Sequence, residues 1–316
     1  MRAIVYTRYG PPDVLQLMEV EKPVPKDDEI LVKVRAASIN PYDWRFLRAD
    51  PFLVRIMGGG FFQPKRHILG SDIAGQVEAV GGQVTRFRPG DEVFGAGSHG
   101  GFAEYACVRE KGFVPKPAGV TFEDAAAVPI AGLTALQALR DKGNIRPGHK
   151  VLINGASGGV GTYAVQIAKL FGAEVTGVCR ASKTDLVQAI GADHVVDYTQ
   201  EDITAEEIRY DLVFDVAAYR PVSRYKKILS PGGIYIMAGG SLRRMFQLWL
   251  KSIAGAKNMK IIVARITQED LQFMADLLKE GKIKSVIDKR FPLSETADAI
   301  RYLEEGRARG KVVITI

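Results

Sequence analysis

A glycine run at the middle of the chain constrains the fold more than any other feature. Val151-Leu152-Ile153 is a short apolar, β-branched run that reads as a buried strand. It leads into Asn154-Gly155-Ala156-Ser157-Gly158-Gly159-Val160-Gly161, and the stretch from Thr162 to Phe171 then alternates as a helix and ends at Gly172. Strand, glycine turn and helix in this order aim backbone N–H groups and the positive end of a helix at one point, where a diphosphate binds. The spacing, Gly155-x-x-Gly158-x-x-Gly161, departs from Gly-x-Gly-x-x-Gly, and a glycine triplet alone is a weak signal. The strand before it, the helix after it and a second strand ending near Cys179 make it a strong one.

The 316 residues, 47% hydrophobic and 25% charged, are enough for two globular domains. No apolar run is long enough to span a membrane, and Met1-Arg2-Ala3-Ile4-Val5-Tyr6 reads as a strand and not as a signal peptide. Cys107 and Cys179 lie far apart in apolar segments, so neither a disulfide framework nor a cysteine-rich metal knot is expected, and the chain reads as cytoplasmic. The net charge of +7 comes from scattered Lys and Arg, with no block that would mark nucleic-acid binding.

Residues 1 to about 120 read as all-β, in short alternating runs such as Ile30–Ala36 and Gly75–Gly81 and in the turn-and-strand Arg88–Phe94. One helical insert begins near Pro41 and runs towards Arg48. From Thr121 the pattern changes. Helices over Phe122–Ala127 and Leu133–Asp141 precede strands at Val151, Glu174–Cys179, His194–Asp197, Leu212–Val216 and Ile234–Met237, with helices between them. This βα alternation predicts an α/β, doubly wound parallel sheet covered on both faces. A further helix over Gln268–Lys279 has Thr267 and Asp270 spaced as a capping box and stops at Gly281. The tail carries a β-like piece, a helix near Ser294–Glu305 and a last strand, Lys311–Ile316. That strand either continues the second domain or returns to the first, and periodicity does not decide which.

The end of the second strand sets the choice of dinucleotide. An NAD site wants an Asp or Glu there for the ribose 2′-hydroxyl. Here the segment is Cys179-Arg180-Ala181-Ser182-Lys183-Thr184, and Arg180 and Lys183 would attract a 2′-phosphate that a carboxylate repels. The nearest acid in sequence, Asp185, reads as the capping-box partner of Ser182. NADPH is the expected cofactor. Gly239-Gly240, after the strand ending Met237-Ala238, would let the backbone approach it closely.

Four segments together resemble the medium-chain dehydrogenase/reductase superfamily. They are Asn40-Pro41-Tyr42-Asp43, Arg88-Pro89-Gly90-Asp91-Glu92-Val93, Ala156-Ser157-Gly158-Gly159-Val160-Gly161 and Gly310-Lys311-Val312-Val313, in the family's order. Within it the chain is similar to the zinc-independent quinone oxidoreductase branch, whose type is zeta-crystallin. The resemblance implies a GroES-like β domain over 1–120 and 286–316, a Rossmann domain over 121–285, and a last strand that returns to the first domain. It also implies that Lys183 and Tyr198 flank the 2′-phosphate, that Thr134 lies near the nicotinamide ribose, and that relatives pair as homodimers through a sheet edge. Where zinc-dependent relatives place Cys, His and Cys ligands, this chain has Asn40, Ser71 (in Gly70-Ser71-Asp72) and Ile130, none of them a good zinc ligand. Of the four histidines, His67, His99, His149 and His194, no two share a ligand spacing, and His67 and His99 read as surface or loop residues. No metal is expected.

Without a metal to stabilise an alkoxide, alcohol oxidation is disfavoured. Hydride can still pass to an acceptor whose product charge is delocalised, so quinones and α,β-unsaturated carbonyls are the expected small-molecule substrates. Asn40, Tyr42 and Asp43 are the candidate catalytic residues, by the family's position beside the nicotinamide. Asn40 would donate to an acceptor oxygen, Tyr42 would donate a proton or stack, and Asp43 would hold the loop through backbone hydrogen bonds. Two apolar inserts, Pro51–Phe62 with its triple glycine and Met245–Leu250 behind Arg243-Arg244, read as a mobile lid and as core or dimer packing. An enoyl-thioester reductase is the rival enzyme, disfavoured because Arg48-Ala49-Asp50-Pro51 lacks the tyrosine of that branch. An NADPH-binding sensor or structural protein without turnover is the rival from another class.

Overall fold

The computed structural model describes residues 1–56, 60–205, 207–240, 244, 248 and 258–316. By contacts the chain divides into two compact units, 1–130 with 266–281 and 287–316, and 131–265 with 282–286. This division groups 121–130 and the helix Gln268–Lys279 with the first unit, whereas the sequence reading put both in 121–285.

The first unit is built on a seven-stranded sheet. Its long central strand, Glu29–Ile39, pairs antiparallel with Asp72–Val80, with Tyr105–Arg109 and with the last strand, Lys311–Thr315. The sheet continues through Glu92–Ala96 to Phe113–Pro115 on one side and through Lys311–Thr315 to Ile287–Pro292 on the other. The register Val312↔Ile39 to Thr315↔Ala36 settles the question that periodicity left open: the last strand belongs to the first unit. Ile30, Val32, Val34, Ile73, Val93, Phe102, Phe113, Val312 and Ile314 form its core. The expected insert is the helix Pro41–Arg48. Proline at its first position has no N–H to leave unsatisfied, and Asn40 N donates to Asp43 Oδ2 at 2.7 Å to fix its start.

The second unit carries a six-stranded, all-parallel sheet. Its order is His194–Asp197, Glu174–Cys179, Lys150–Asn154, Tyr210–Asp215, Leu229–Ala238, Met259–Ile262. In chain order that is 3-2-1-4-5-6, the doubly wound arrangement, which reverses between Lys150–Asn154 and Tyr210–Asp215. Five of these strands are near the expected positions. Met259–Ile262 was not foreseen, because one turn of apolar residues in a lysine-containing stretch gives no clear period. The helix expected over Leu133–Asp141 runs from Pro129 to Gln137 and widens into a π-helical turn over Ala138–Lys142. Thr267 Oγ1 caps the helix Gln268–Lys279 by accepting from Asp270 N, as its spacing predicts.

Met57, Gly58 and Gly59 of the first apolar insert lie outside the described residues. So do Arg243, Met245–Gln247, Trp249 and Leu250 of the second. Among the described residues no helix is long and apolar enough to cross a membrane.

Candidate functional site: a dinucleotide turn and a buried polar cluster

In the second unit, the strand Lys150–Asn154 ends at the point where the strand order reverses, and the glycine turn follows. Gly155 has φ +86°, a conformation open to glycine, and its N–H and that of Ala156 both donate to Val178 O on the neighbouring strand (3.0 and 3.1 Å). Gly158 caps the helix Gly159–Leu170 without a side chain, so among the described residues the amides of Gly159, Val160 and Gly161 have no acceptor. Ser157 is 7% exposed and its hydroxyl bonds to no described residue. A cradle of unpaired amides at a helix N-terminus, beside a hydroxyl free to donate, fits an anionic diphosphate. Gly161 is held to glycine by packing: a Cβ there would sit 2.1 Å from Gly155 O.

Beneath the turn lies a network that the sequence reading missed. Asp215, fully buried at the end of its strand, accepts from Asn154 Nδ2 (2.7 Å), Ala218 N (2.8 Å) and Tyr235 OH (2.7 Å), while Asn154 Nδ2 also donates to Tyr225 OH (2.8 Å). Burial pushes the Asp215 carboxyl up, against the pull of these donors. The network staples the two strands that flank the reversal, immediately before Gly155. A lone acid closing an apolar strand was the available signal.

At the end of Glu174–Cys179, Arg180 is exposed and its Nε donates to Tyr198 OH at 2.9 Å. The Tyr198 ring meanwhile packs near Tyr219, with centroids 5.7 Å apart, so its core and polar roles coexist. The expected Ser182–Asp185 capping box is not formed. A single turn over Ala181–Lys183 precedes the helix Thr184–Ala189, whose N-cap residue, Lys183, makes no side-chain capping hydrogen bond to it. The turn is held instead by Thr184 Oγ1 donating to Ala181 O and by Asp197, whose carboxylate accepts from Ala181 N. Asp197 is thus the acid that meets this segment, brought there by its pairing with Cys179. The Thr199 N–H and hydroxyl hold its carboxyl below the usual range. Thr134 is buried on Pro129–Gln137, and Gly239 and Gly240 follow their strand at φ +77° and +97°.

In the first unit, Asn40 is 3% exposed and stands at the centre of a polar cluster. Its Nδ2 donates to Asp72 Oδ2 (2.9 Å) and reaches Ser38 O at 3.5 Å, and its Oδ1 accepts from Lys311 Nζ (2.8 Å). An ammonium only donates, so Lys311 fixes which way the amide faces. Lys311 is 3% exposed and also approaches Ile39 O (3.3 Å) and Asp72 Oδ2 (3.6 Å). Asp72 takes Ser38 Oγ on Oδ2 and Ile130 N on Oδ1. Burial pushes the Lys311 ammonium down and the Asp72 carboxyl up, each opposed by the other's charge. Asn40 therefore has one loosely held N–H left to offer an acceptor. Asp43, fully buried, accepts from Asn40 N and from Gly70 N (3.1 Å) and holds the loop as expected, while burial pushes its carboxyl up to about 7. Tyr42 is half-buried against Phe46. His67 and His99 are exposed, and among the described residues no group of three His, Cys, Asp or Glu is placed to hold a metal.

Comparison with known proteins accords with this geometry. The alcohol dehydrogenase GroES-like domain family matches residues 26–118, and the zinc-binding dehydrogenase family matches residues 190–314. The chloroplast envelope quinone oxidoreductase homolog of Arabidopsis thaliana is 38% identical over 330 residues, covering 99% of this chain and 98% of its own length. The chloroplastic NADPH-dependent alkenal/one oxidoreductase of the same plant is 33% identical over 332 residues, covering 99% and 79%. The solved structure of Escherichia coli quinone oxidoreductase complexed with NADPH superposes with a TM-score of 0.85 at 25% identity, covering all of both chains. The chain belongs to the medium-chain dehydrogenase/reductase superfamily, in its quinone oxidoreductase branch, and is an oxidoreductase.

Two outcomes follow from these contacts. Gly161→Ala forces backbone apart and is expected to destabilise the second unit by about 1–3 kcal/mol. Gly158→Ala, whose Cβ would meet only Gly155 O at 3.5 Å, is expected to keep the fold and weaken dinucleotide binding. Thermal unfolding and calorimetric titration separate the two. For Asp43, a carboxyl that titrates near 7 when folded and near 3.8 when unfolded gives the folded state the greater proton uptake between those values. Its contribution to stability is therefore lost as pH rises through that window. The stability difference between wild type and Asp43→Asn, followed by urea unfolding from pH 5 to 8, should shrink with rising pH. A difference that is constant or grows would mean that the two N–H donors keep Asp43 ionised throughout.

Proposed function

We propose that the protein is an NADPH-dependent reductase of quinones and α,β-unsaturated carbonyls that works without zinc. The observation that carries the reading is the uncapped glycine turn at a strand-order reversal, with the Arg180–Tyr198 hydrogen bond beyond the end of the adjacent strand and Lys183 in the turn that follows. The turn suits a pyrophosphate, and two cations with a phenol suit a 2′-phosphate. Thr134, Ser157, Gly239 and Gly240 complete the cofactor contacts in this reading. The names of the two plant relatives and the ligand of the E. coli structure point the same way.

When bound, NADPH supplies the hydride. The first unit supplies an environment and no Lewis acid: Asn40, Ser71 and Ile130 present an amide, a hydroxyl and an alkyl group where a zinc site needs thiolate and imidazole. Without that metal, a saturated carbonyl has no partner for its developing alkoxide, whereas a quinone or conjugated carbonyl spreads the charge over its own π system. Asn40, oriented by Lys311, is the donor for the acceptor oxygen, and Asp43 keeps the segment in place.

The phosphate assignment is tested by Lys183→Ala. Its dissociation constant for NADPH should rise by an amount worth about 1–3 kcal/mol, with little change for NADH. Equal losses for both dinucleotides would remove Lys183 from the 2′-phosphate. Turnover itself is read by NADPH oxidation with 1,4-benzoquinone, 9,10-phenanthrenequinone and 1-octen-3-one. Tight NADPH binding with no turnover on any of them would favour the sensor reading.

A further inference from the structure

Tyr42 stands in the first turn of Pro41–Arg48, two residues after Asn40, with its ring 4.2 Å from that of Phe46. Its hydroxyl has one partner among the described residues, Arg66 Nη1 at 3.2 Å. A guanidinium donates and never accepts, so the phenol oxygen is the acceptor in this bond and its own proton is undonated. Arg66 gives its other bond, from the same nitrogen, to Ser98 O at 3.3 Å. Among the described residues no carboxylate lies within ion-pair distance of it. A half-buried cation with no acid beside it therefore gives its one side-chain hydrogen bond to a phenol, while its guanidinium lies over the Phe46 ring, 5.9 Å from the centroid.

We infer that Tyr42 is the catalytic proton donor to the enolate formed when a conjugated carbonyl is reduced, and that Arg66 is the positioning residue that aims its hydroxyl. The inference rests on the reductase reading above. Bound NADPH would supply a hydride to the β-carbon of the acceptor, which would move the C=C π pair onto the α-carbon and carbonyl oxygen. The Tyr42 O–H bond then breaks, its proton joins the enolate, and the bonding pair stays on the phenolate oxygen beside the Arg66 guanidinium. Water returns the proton to Tyr42. One hydride and one proton have been added across the C=C bond, and the nicotinamide has been oxidised.

The two acceptor classes make different demands on this donor. Hydride transfer to a quinone leaves a hydroquinone monoanion, a weakly basic, delocalised phenolate that water protonates. An enolate is far more basic and gains from a donor already in place. Tyr42 and Arg66 thus weight the site towards enones and enals.

The groups facing the phenol are Arg66 from the loop before Gly70, Asp43 on the same helix, and Tyr6 beyond the first strand, and His99 is near enough to Arg66 to feel its charge. Burial raises the phenol above its ordinary value, Arg66 lowers it and Asp43 raises it. The net direction is up, so the phenol keeps its proton at neutral pH, the form a donor needs. Removing the cation should move it further up.

The test uses the full chain with NADPH and compares kcat and KM on 1-octen-3-one and 1,4-benzoquinone. Tyr42→Phe keeps the ring on Phe46 and deletes the proton. The enone-to-quinone ratio of kcat is expected to fall by about 10²-fold, within the usual span for loss of a general acid. Arg66→Met should lower the same ratio by a smaller factor and move the basic limb of the enone pH profile upward, and Arg66→Lys should restore part of both. Equal losses on the two acceptors, a rise in KM with kcat unchanged, or an unshifted pH profile in Arg66→Met would overturn the assignment. A wild-type enzyme inactive on both acceptors would overturn the reductase reading beneath it as well.

Discussion

Lys311 brings an ammonium into the interior of the first unit, where it meets Asn40 Oδ1, Ile39 O and Asp72. A buried charge is tolerated when it is paired and hydrogen-bonded on all sides, and removing one partner leaves the other costly to keep. The contact spans 271 positions of sequence and ties the last strand of the chain to the residue that starts the helix Pro41–Arg48. Asn40 then faces one way only. Its N–H holds Asp43, Asp43 holds Gly70, and the first helical turn, Tyr42 included, is placed by that chain of contacts. A polar cluster thus orients Asn40 and the first helical turn, and in the proposed reading it does so where a zinc-dependent enzyme would use a metal to polarise the acceptor.

The second unit solves a different problem with the same device. Its turn leaves amides unpaired, and unpaired amides do not define a conformation. The definition comes from below. Asp215 draws Asn154, Tyr235 and the Ala218 amide together under the strand ends. Val178 O takes the amides of Gly155 and Ala156. In both units a buried carboxylate satisfied by several donors positions a group left with spare hydrogen-bonding capacity.

The parts of this arrangement that were legible in the sequence are those set by neighbours along the chain. The glycine spacing, the β-branched runs before it and the Thr267 cap are local signals, and each names a conformation that only a few residues can adopt. The dinucleotide-binding unit was readable for that reason. Lys311 was quoted as part of a terminal motif, yet nothing near it in sequence is an acid, so its pairing with Asp72 and Asn40 was invisible. Asp197 illustrates the same limit. Asp185 is nearer to Ser182 in sequence, but strand pairing with Cys179 brings Asp197 to the turn first, and the expected cap gives way to it. Nothing in the sequence around Arg66 marks it out, and only the fold carries it to the Tyr42 hydroxyl.

Deuterium transfer tests the central claim most directly. Protein dialysed against a strong zinc chelator is given NADPH carrying deuterium at nicotinamide C4 on the transferred face, with 1-octen-3-one as acceptor, and the product is examined by NMR. Deuterium on the β-carbon of the saturated ketone, at an undiminished rate, is the predicted result. Activity that disappears with the chelator and returns with zinc, or a reduced product that carries no deuterium, would contradict it.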